Sequence, residues 1–348
     1  MAAYTTIDNP ELFFQAKLFT GTGSSHAITF DGDEDMQPDL VWIKVRSGTG
    51  DHGLWDVVRG TTQRLVPNGT NQEGAVSGVT AFGSNGFTVG TAYNVGSDTY
   101  VAWCFKAGGS ASSNSDGSVT TSVSANSTSG VSLTAHTGTG SGSATIGHGL
   151  GAKPKIYFSK PRNLGDPWIF WFDPSNSGTS TGRLTLNATD AQSTSGNSMV
   201  TFNATTITLP SLSNDAWSGN YNYMSYMFVE KQGFSKFGSF LGNGADDGPF
   251  VFCGFKPAFV LTKKATESSE WHIYDNKRDT INPNSNVLSP NADYADSINA
   301  NCDTDFLSNG FKLRNSNDNR NDSGETHIFM AFAESPFVNS NGVPNNGE

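Results

Sequence analysis

Three times along this chain a proline opens an apolar run, a lysine closes it six residues later, and an aspartate follows at a nearly fixed distance. The runs are Pro38 to Lys44, Pro154 to Lys160 and Pro257 to Lys263, and Asp56, Asp173 and Asp275 stand 18, 19 and 18 residues beyond their prolines. Proline is tolerated at the first residue of a strand, so each run reads as a strand with a marked start. A second recurrence joins Phe82-Gly83-Ser84-Asn85-Gly86-Phe87 to Phe306-Leu307-Ser308-Asn309-Gly310-Phe311. Each is a Ser-Asn-Gly turn followed by an alternating strand, in which Asn and Gly suit positive φ. The blocks keep one order, so the expected fold is all-β, in three tandem copies of a β-sandwich-like domain.

Each copy opens on a related segment: Phe19-Thr20-Gly21-Thr22-Gly23, His136-Thr137-Gly138-Thr139-Gly140 and Phe240-Leu241-Gly242-Asn243-Gly244. The expected boundaries are an N-terminal arm with the first copy over 1–107, a Gly/Ser-rich linker over 108–117, the second copy over 118–231, the third over 232–338, and a frayed polar tail over 339–348. The second copy has diverged most, with Ala204-Thr205-Thr206 in place of the Ser-Asn-Gly turn, and Ser118 to Val123 alternates as an added strand. Trp168-Ile169-Phe170-Trp171-Phe172 is apolar on both strand faces, which predicts burial between layers.

Charged residues make up 15% of the chain, well under the average of about 25%, and Gly, Ser, Thr and Asn fill the gap, a balance that suits short strands and turns over helices. A net charge of −11 offers no counterion-release drive toward a phosphate backbone, so nucleic acid is excluded as an expected partner. Cys104, Cys253 and Cys302 are isolated and imply neither a disulfide framework nor a zinc site. Met1 to Pro10 has no basic n-region and no apolar h-region, so no secretory signal is expected there, and no apolar run is long enough for membrane insertion.

Several residues are candidates for chemistry. Asp56 and Asp275, each three residues before Arg59 and Arg278, could be taken for a glycosidase pair, but their recurrence points to an Asp/Arg contact required by the fold. Asp31, Asp33 and Asp35 could hold Ca²⁺, the one cofactor expected as an option, although the loop lacks the glycine and glutamate of an EF-hand. Trp217 and Tyr221, with Asp215 beside them, lie among turn residues and could stack on a sugar while polar groups bond its hydroxyls. In the arm, Asp8 is a candidate helix cap, and Tyr4, Ile7, Leu12, Phe13 and Phe14 are candidate docking residues for a larger particle.

The opening Thr6 to Gln15, the Gln37 to Lys44 strand, the Gly147 to Pro154 segment and the ending Phe332 to Phe337 resemble the repeated domain of uncharacterised virion and tail-fibre-like proteins of marine tailed bacteriophages. The resemblance covers nearly the whole chain and implies a non-enzymatic virion protein at the particle surface, made in the host cytoplasm. On that footing the expected role is in a tail fibre or tail appendage, in host attachment and particle assembly, with other virion proteins, further copies of the chain and a host-surface glycan as partners. A capsid decoration protein docked by its N-terminal arm and a capsular polysaccharide depolymerase are the alternatives.

Overall fold

The computed structural model describes residues 4–140, 142–195, 199–210, 219–298 and 300–345, and the regular structure of the described chain is nearly all antiparallel β-strand. The first unit contains β1 (Phe14–Thr20), β2 (His26–Thr29), β3 (Leu40–Val45), β4 (Gly53–Asp56), β5 (Gly60–Leu65), β6 (Gly74–Ala75), β7 (Val79–Gly83), β8 (Gly86–Val89) and β9 (Thr99–Phe105). The second contains β10 (Ser112–Asn114), β11 (Thr121–Asn126), β12 (Val131–Thr137), β13 (Ala144–Gly147), β14 (Ile156–Pro161), β15 (Ile169–Phe172), β16 (Gly182–Thr185), β17 (Thr201–Phe202), β18 (Thr206–Leu209) and β19 (Asn222–Phe228). The third contains β20 (Ser235–Leu241), β21 (Phe250–Phe252), β22 (Phe255–Lys264), β23 (Trp271–Asp275), β24 (Asn286–Val287), β25 (Ser297–Ile298), β26 (Thr304–Leu307), β27 (Gly310–Leu313) and β28 (Thr326–Pro336).

One strand order recurs in all three units. The large sheets run β1-β9-β3-β4, β12-β19-β14-β15 and β20-β28-β22-β23, and the small sheets run β2-β8-β7, β13-β18-β17 and β21-β27-β26. The second unit adds β11 and β10 beyond β12. The added strand expected over Ser118 to Val123 is therefore present, displaced to Thr121–Asn126, and the segment 108–117, expected as a loose linker, carries β10.

Alternation along the strands explains why they are apolar on both faces. Val41 and Ile43 of β3 face the small sheet of their own unit, while Leu40 and Trp42 face a core common to all three units. In the same way Ile169 and Trp171 point into the second unit's own core, and Trp168, Phe170 and Phe172 into the common one. At the middle of the common core Phe105, Phe228 and Phe332 occupy one register position in three sheets, opposite Leu40, Ile156 and Phe259. Their ring centroids lie 6.1, 5.0 and 6.0 Å apart, within the range of favourable aromatic contacts.

The Ser-Asn-Gly turns are hairpin tips, but the physical demand on their glycines differs from the sequence expectation. Of Asn85, Gly86, Asn309 and Gly310 only Gly86 has positive φ, at 114°. Both glycines are required by space, since a Cβ at Gly86 would lie 2.0 Å from Ile28 O and one at Gly310 2.1 Å from Val251 O. Thr29 pairs with Gly86 and Phe252 with Gly310, whereas the second unit pairs Gly147 with Thr206. A Cβ at Gly147 would meet the Asn114 side chain, so the glycine there makes room for the strand β10 that the other units lack.

The N-terminal arm is held by the third unit. Tyr4 donates to Gly254 O, Thr5 to Gln232 O, and Phe13 packs edge-on against Phe234. Ile7 and Phe14 are buried, and Leu12 alone of the five expected docking residues is exposed. A 3₁₀ turn at Pro10–Leu12 is capped by Asn9, which accepts from Glu11 N at 3.0 Å; Asp8, the expected cap, instead accepts from Ser340. That contact, with Asn345 donating to Ser308 O and Ser335 O, ties down tail residues expected to fray.

Candidate functional site

The recurring lysines mark seams between units. Lys44, Lys160 and Lys263 are fully buried, and their ammonium groups are held mainly by carbonyl oxygens: Val45 O for Lys44, Thr70, Pro161 and Leu164 O for Lys160, and Lys264 and Glu267 O for Lys263. Burial pulls each pKa down to about 8, against the weaker upward pull of nearby carboxylates such as Asp293 and Asp296 for Lys44 and Asp190 for Lys263.

Across the strand from these lysines stand three rings, each bonded to a carbonyl of the neighbouring unit. Trp168 Nε1 donates to Val66 O at 2.7 Å, and Trp271 Nε1 to Thr185 O at 3.0 Å. His52 Nε2 lies 3.0 Å from Ser289 O; because Trp42 Nε1 donates to His52 Nδ1, Nε2 carries the proton and donates. A backbone bond also recurs at each seam: Glu73 N to Arg162 O at 2.7 Å, Asp296 N to Arg46 O at 2.8 Å and Gln192 N to Ala265 O at 2.7 Å. The contacts run from unit two to one, one to three and three to two, so they close a ring.

Asp56 and Asp275, the carboxylates that could suggest hydrolysis, are components of this ring. Asp56 accepts from Arg59 Nε at 2.6 Å and from the Tyr226 hydroxyl of unit two at 2.9 Å, while Arg59 continues to Glu73 and Glu73 to Arg162. Asp275 accepts from Arg278 Nε at 2.6 Å and from the Trp103 indole of unit one at 2.9 Å, while Arg278 continues to Asp296 and Asp296 to Arg46. Both aspartates and both guanidinium groups are buried, so neither acid reaches a substrate.

At the third seam this network is replaced by neutral residues. Phe172 takes the register position of the aspartate and Met330 that of Tyr226 and Trp103, while Gln192 and Ala265 replace the acid and the outer arginine. Asp173 lies one residue further on and accepts from Ser175, Ser177 and Gly178 within its own loop, the counterpart of its longer spacing from Pro154. A small apolar cavity of about 10 Å³, lined by Phe172, Leu261, Trp271 and Met330 among others, sits there.

In the acidic loop Asp31 pairs with Lys17 at 3.0 Å and Lys277 at 3.5 Å, and Glu11 accepts from Asp33 N. No group of three His, Cys, Asp or Glu side chains that could hold a metal occurs among the described residues, so Asp31, Asp33 and Asp35 are not brought together as ligands. Asp215 and Trp217 lie outside the described residues. Tyr221 is half-buried, and its carbonyl accepts from Gly138 N at 2.9 Å.

The second unit carries an open polar cleft of about 390 Å³. Ser112 and Ser113 from β10, Thr120, Thr121 and Ser122 at β11, His136 and Thr137 from β12, Arg162 and Asn222 line it. Thr137 donates to Asn222 Oδ1 at 3.0 Å, and Arg162 is held by Glu73 through Nε and Nη2. His136 is 6% exposed and stacks on Tyr223 at 5.1 Å, but neither ring nitrogen has a hydrogen-bond partner among the described residues. Burial draws its pKa down to about 4, so the ring is neutral at pH 7. Phe19 and Phe240 hold the equivalent position in the other units, stacked on Tyr100 and His327. Sequence reasoning missed this lining because Ser112 and Ser113 read as linker. The available signal was His136 standing where the related segments begin with Phe.

Fold and cleft define an all-β protein of three interlocked two-sheet units, with a polar groove on the middle one. The chain belongs to a family described as a domain of unknown function, DUF7483, which matches residues 9–336 and so spans all three units. No curated protein and no solved structure matches the chain.

Proposed function

We propose that the protein is a non-enzymatic structural protein of a tailed-bacteriophage particle, part of a tail fibre or similar appendage, that contributes to host-surface attachment and particle assembly, and that its three units are tandem copies of one β-domain. The observation that carries the non-enzymatic reading is the burial of Asp56 and Asp275 in arginine pairs that join the units. Acids positioned in this way hold a rigid body together and are closed to a glycan, which counts against a depolymerase built on them. The particle setting rests on the sequence resemblance. The arm that would dock a capsid decoration protein is engaged by the chain's own third unit, which favours the appendage over the capsid. Peptide mass spectrometry of gradient-purified particles tests this: the chain is expected as a stoichiometric component, and its absence from particles would overturn the proposal.

A further inference from the structure

The small sheet of the third unit ends on β21, and two bonds fix which way that strand turns its backbone. Leu313 N donates to Pro249 O and Cys253 N to Asn309 O, so Val251 faces β27 while the N–H and C=O groups of Phe250 and Phe252 point away from it. Among the described residues no hydrogen bond reaches those outward groups. Val251 is buried in the common core, and the Phe250 and Phe252 side chains lie on the opposite face, 44% and 55% exposed.

The equivalent strands of the other units are treated differently. In the second unit β13 has Thr145 and Gly147 at these positions, and the chain's own residues 118–121 cover them. Val119 N donates to Thr145 O at 3.1 Å, Thr145 N to Ser118 Oγ at 2.9 Å and Thr121 Oγ1 to Gly147 O at 3.1 Å, while Val119 packs against that unit's core. In the first unit β2 presents Ala27 and Thr29, which put no large apolar side chain on the edge. The third unit combines an open edge with two exposed phenylalanines.

We propose that β21 is a docking edge for an extended segment of another polypeptide, which adds a strand where residues 118–121 lie in the second unit. Unpaired strand groups are a template for a further strand, and the second unit shows that pairing made by an extended stretch of this same chain. There Ser118 N donates to Thr145 Oγ1 at 2.7 Å, a polar match for a polar residue. With Phe250 and Phe252 on the strand, the matching segment carries apolar side chains at alternate positions, since cross-strand apolar and aromatic pairs stabilise a sheet. Area argues against a second globular copy as the occupant. An edge of three residues is about 10 Å long, and a copy that met it there alone would bury far less than the roughly 1,200 Å² of a stable interface. A single strand needs no more than the edge it pairs with.

This inference deepens the assembly part of the proposed function and rests on it only for the source of the segment, a neighbouring particle protein. The test is selection of a displayed library of random linear dodecapeptides against the full chain. Selected peptides are then measured by fluorescence anisotropy on the native chain and on Phe250→Ala/Phe252→Thr, which gives this edge the side chains of the first unit. At least one peptide with alternating apolar residues is expected to bind with Kd below about 100 µM, and at least about tenfold more weakly to the double variant, whose Tm stays unchanged. On the native chain the same peptide should slow amide exchange over Phe250 to Phe252, which docking on the rings alone would not do. Failure to select any peptide that discriminates against the folded variant overturns the proposal, and so does unchanged amide exchange. A dimer in sedimentation velocity that the double variant abolishes also overturns it, because the occupant is then a second copy. Peptide binding by a chain absent from particles would remove the particle setting alone; particles containing a chain that takes no peptide would remove the docking edge alone.

Discussion

Trp103 donates its indole N–H to Asp275 Oδ2 at 2.9 Å, and this bond joins the first unit to the third across 172 residues of sequence. Tyr226 makes the corresponding bond from the second unit to Asp56 of the first. Each acid also holds an arginine of its own unit, so a seam contact and a turn are built on the same carboxylate.

Removing the seam donor and removing the acid have different costs. Tyr226→Phe leaves Asp56 bonded to Arg59 and should cost about 1.5–3 kcal/mol, the scale of one hydrogen bond to a charged group. Asp275→Asn leaves the Arg278 guanidinium buried without its closest counter-charge and should cost about 3–5 kcal/mol. Urea unfolding of both variants checks the order; equal, small losses would show that the acids do not carry the seams.

The histidines predict acid sensitivity. Burial lowers the pKa of His52 to about 3 and of His136 and His327 to about 4, and lowers those of His148 and His272 as well. The unfolded chain takes up these protons near pH 6.5 while the folded chain resists until much lower pH. Stability from this source is therefore complete above about pH 6.5 and falls toward pH 4, by at most roughly 1.4 kcal/mol per pH unit for each histidine. Tm measured from pH 7 to 4.5 should drop across this window, and His136→Phe should flatten the slope. An unchanged slope in that variant would contradict the buried, neutral state of His136.

The lysines act in the opposite pH range. With folded pKa values of about 8 against a usual value near 10.5, Lys44, Lys160 and Lys263 lose protons in the folded chain before the unfolded one. Their contribution to stability therefore rises with pH from about 8 to 10.5. Buried thiols and phenols, held protonated in the folded state, oppose this rise. Comparing the native chain with Lys160→Met isolates the lysine: the stability of the native chain relative to the variant should rise between about pH 8 and pH 10. A constant gap would show that Lys160 keeps its proton throughout.

Glycine at the hairpin tips tests the close approach of strands. Gly310→Ala puts a methyl group against the Val251 carbonyl without a positive φ to complicate the result, and should cost more than about 2 kcal/mol. Thr206→Gly, at the equivalent position of the second unit, should cost only about 1 kcal/mol, the usual penalty of glycine in a strand. Chemical denaturation of the two variants decides between them; equal costs would remove the steric account.

Much of the fold was legible because its signals are local. The proline starts, the alternating strands and the Asp56/Arg59 and Asp275/Arg278 turns depend on residues a few positions apart, and the one-residue difference at Asp173 already marked the odd seam. What could not be read were contacts whose partners lie 100 or more residues away, such as Trp168 with Val66 or Tyr226 with Asp56. That the arm packs on the third unit could not be read either, because its apolar residues are matched by Phe234 and Phe332, at the far end of the chain. The cleft was hidden by composition, since Ser112, Ser113 and Thr120 look the same in a linker and in the wall of a groove.

The central structural claim is that the three units form one body, closed by repeated seams around the Phe105, Phe228 and Phe332 core. Differential scanning calorimetry tests it most directly. The account predicts a single unfolding transition for the whole chain, with calorimetric and van't Hoff enthalpies in agreement. Two or three resolved transitions, one for each independently melting unit, would contradict it.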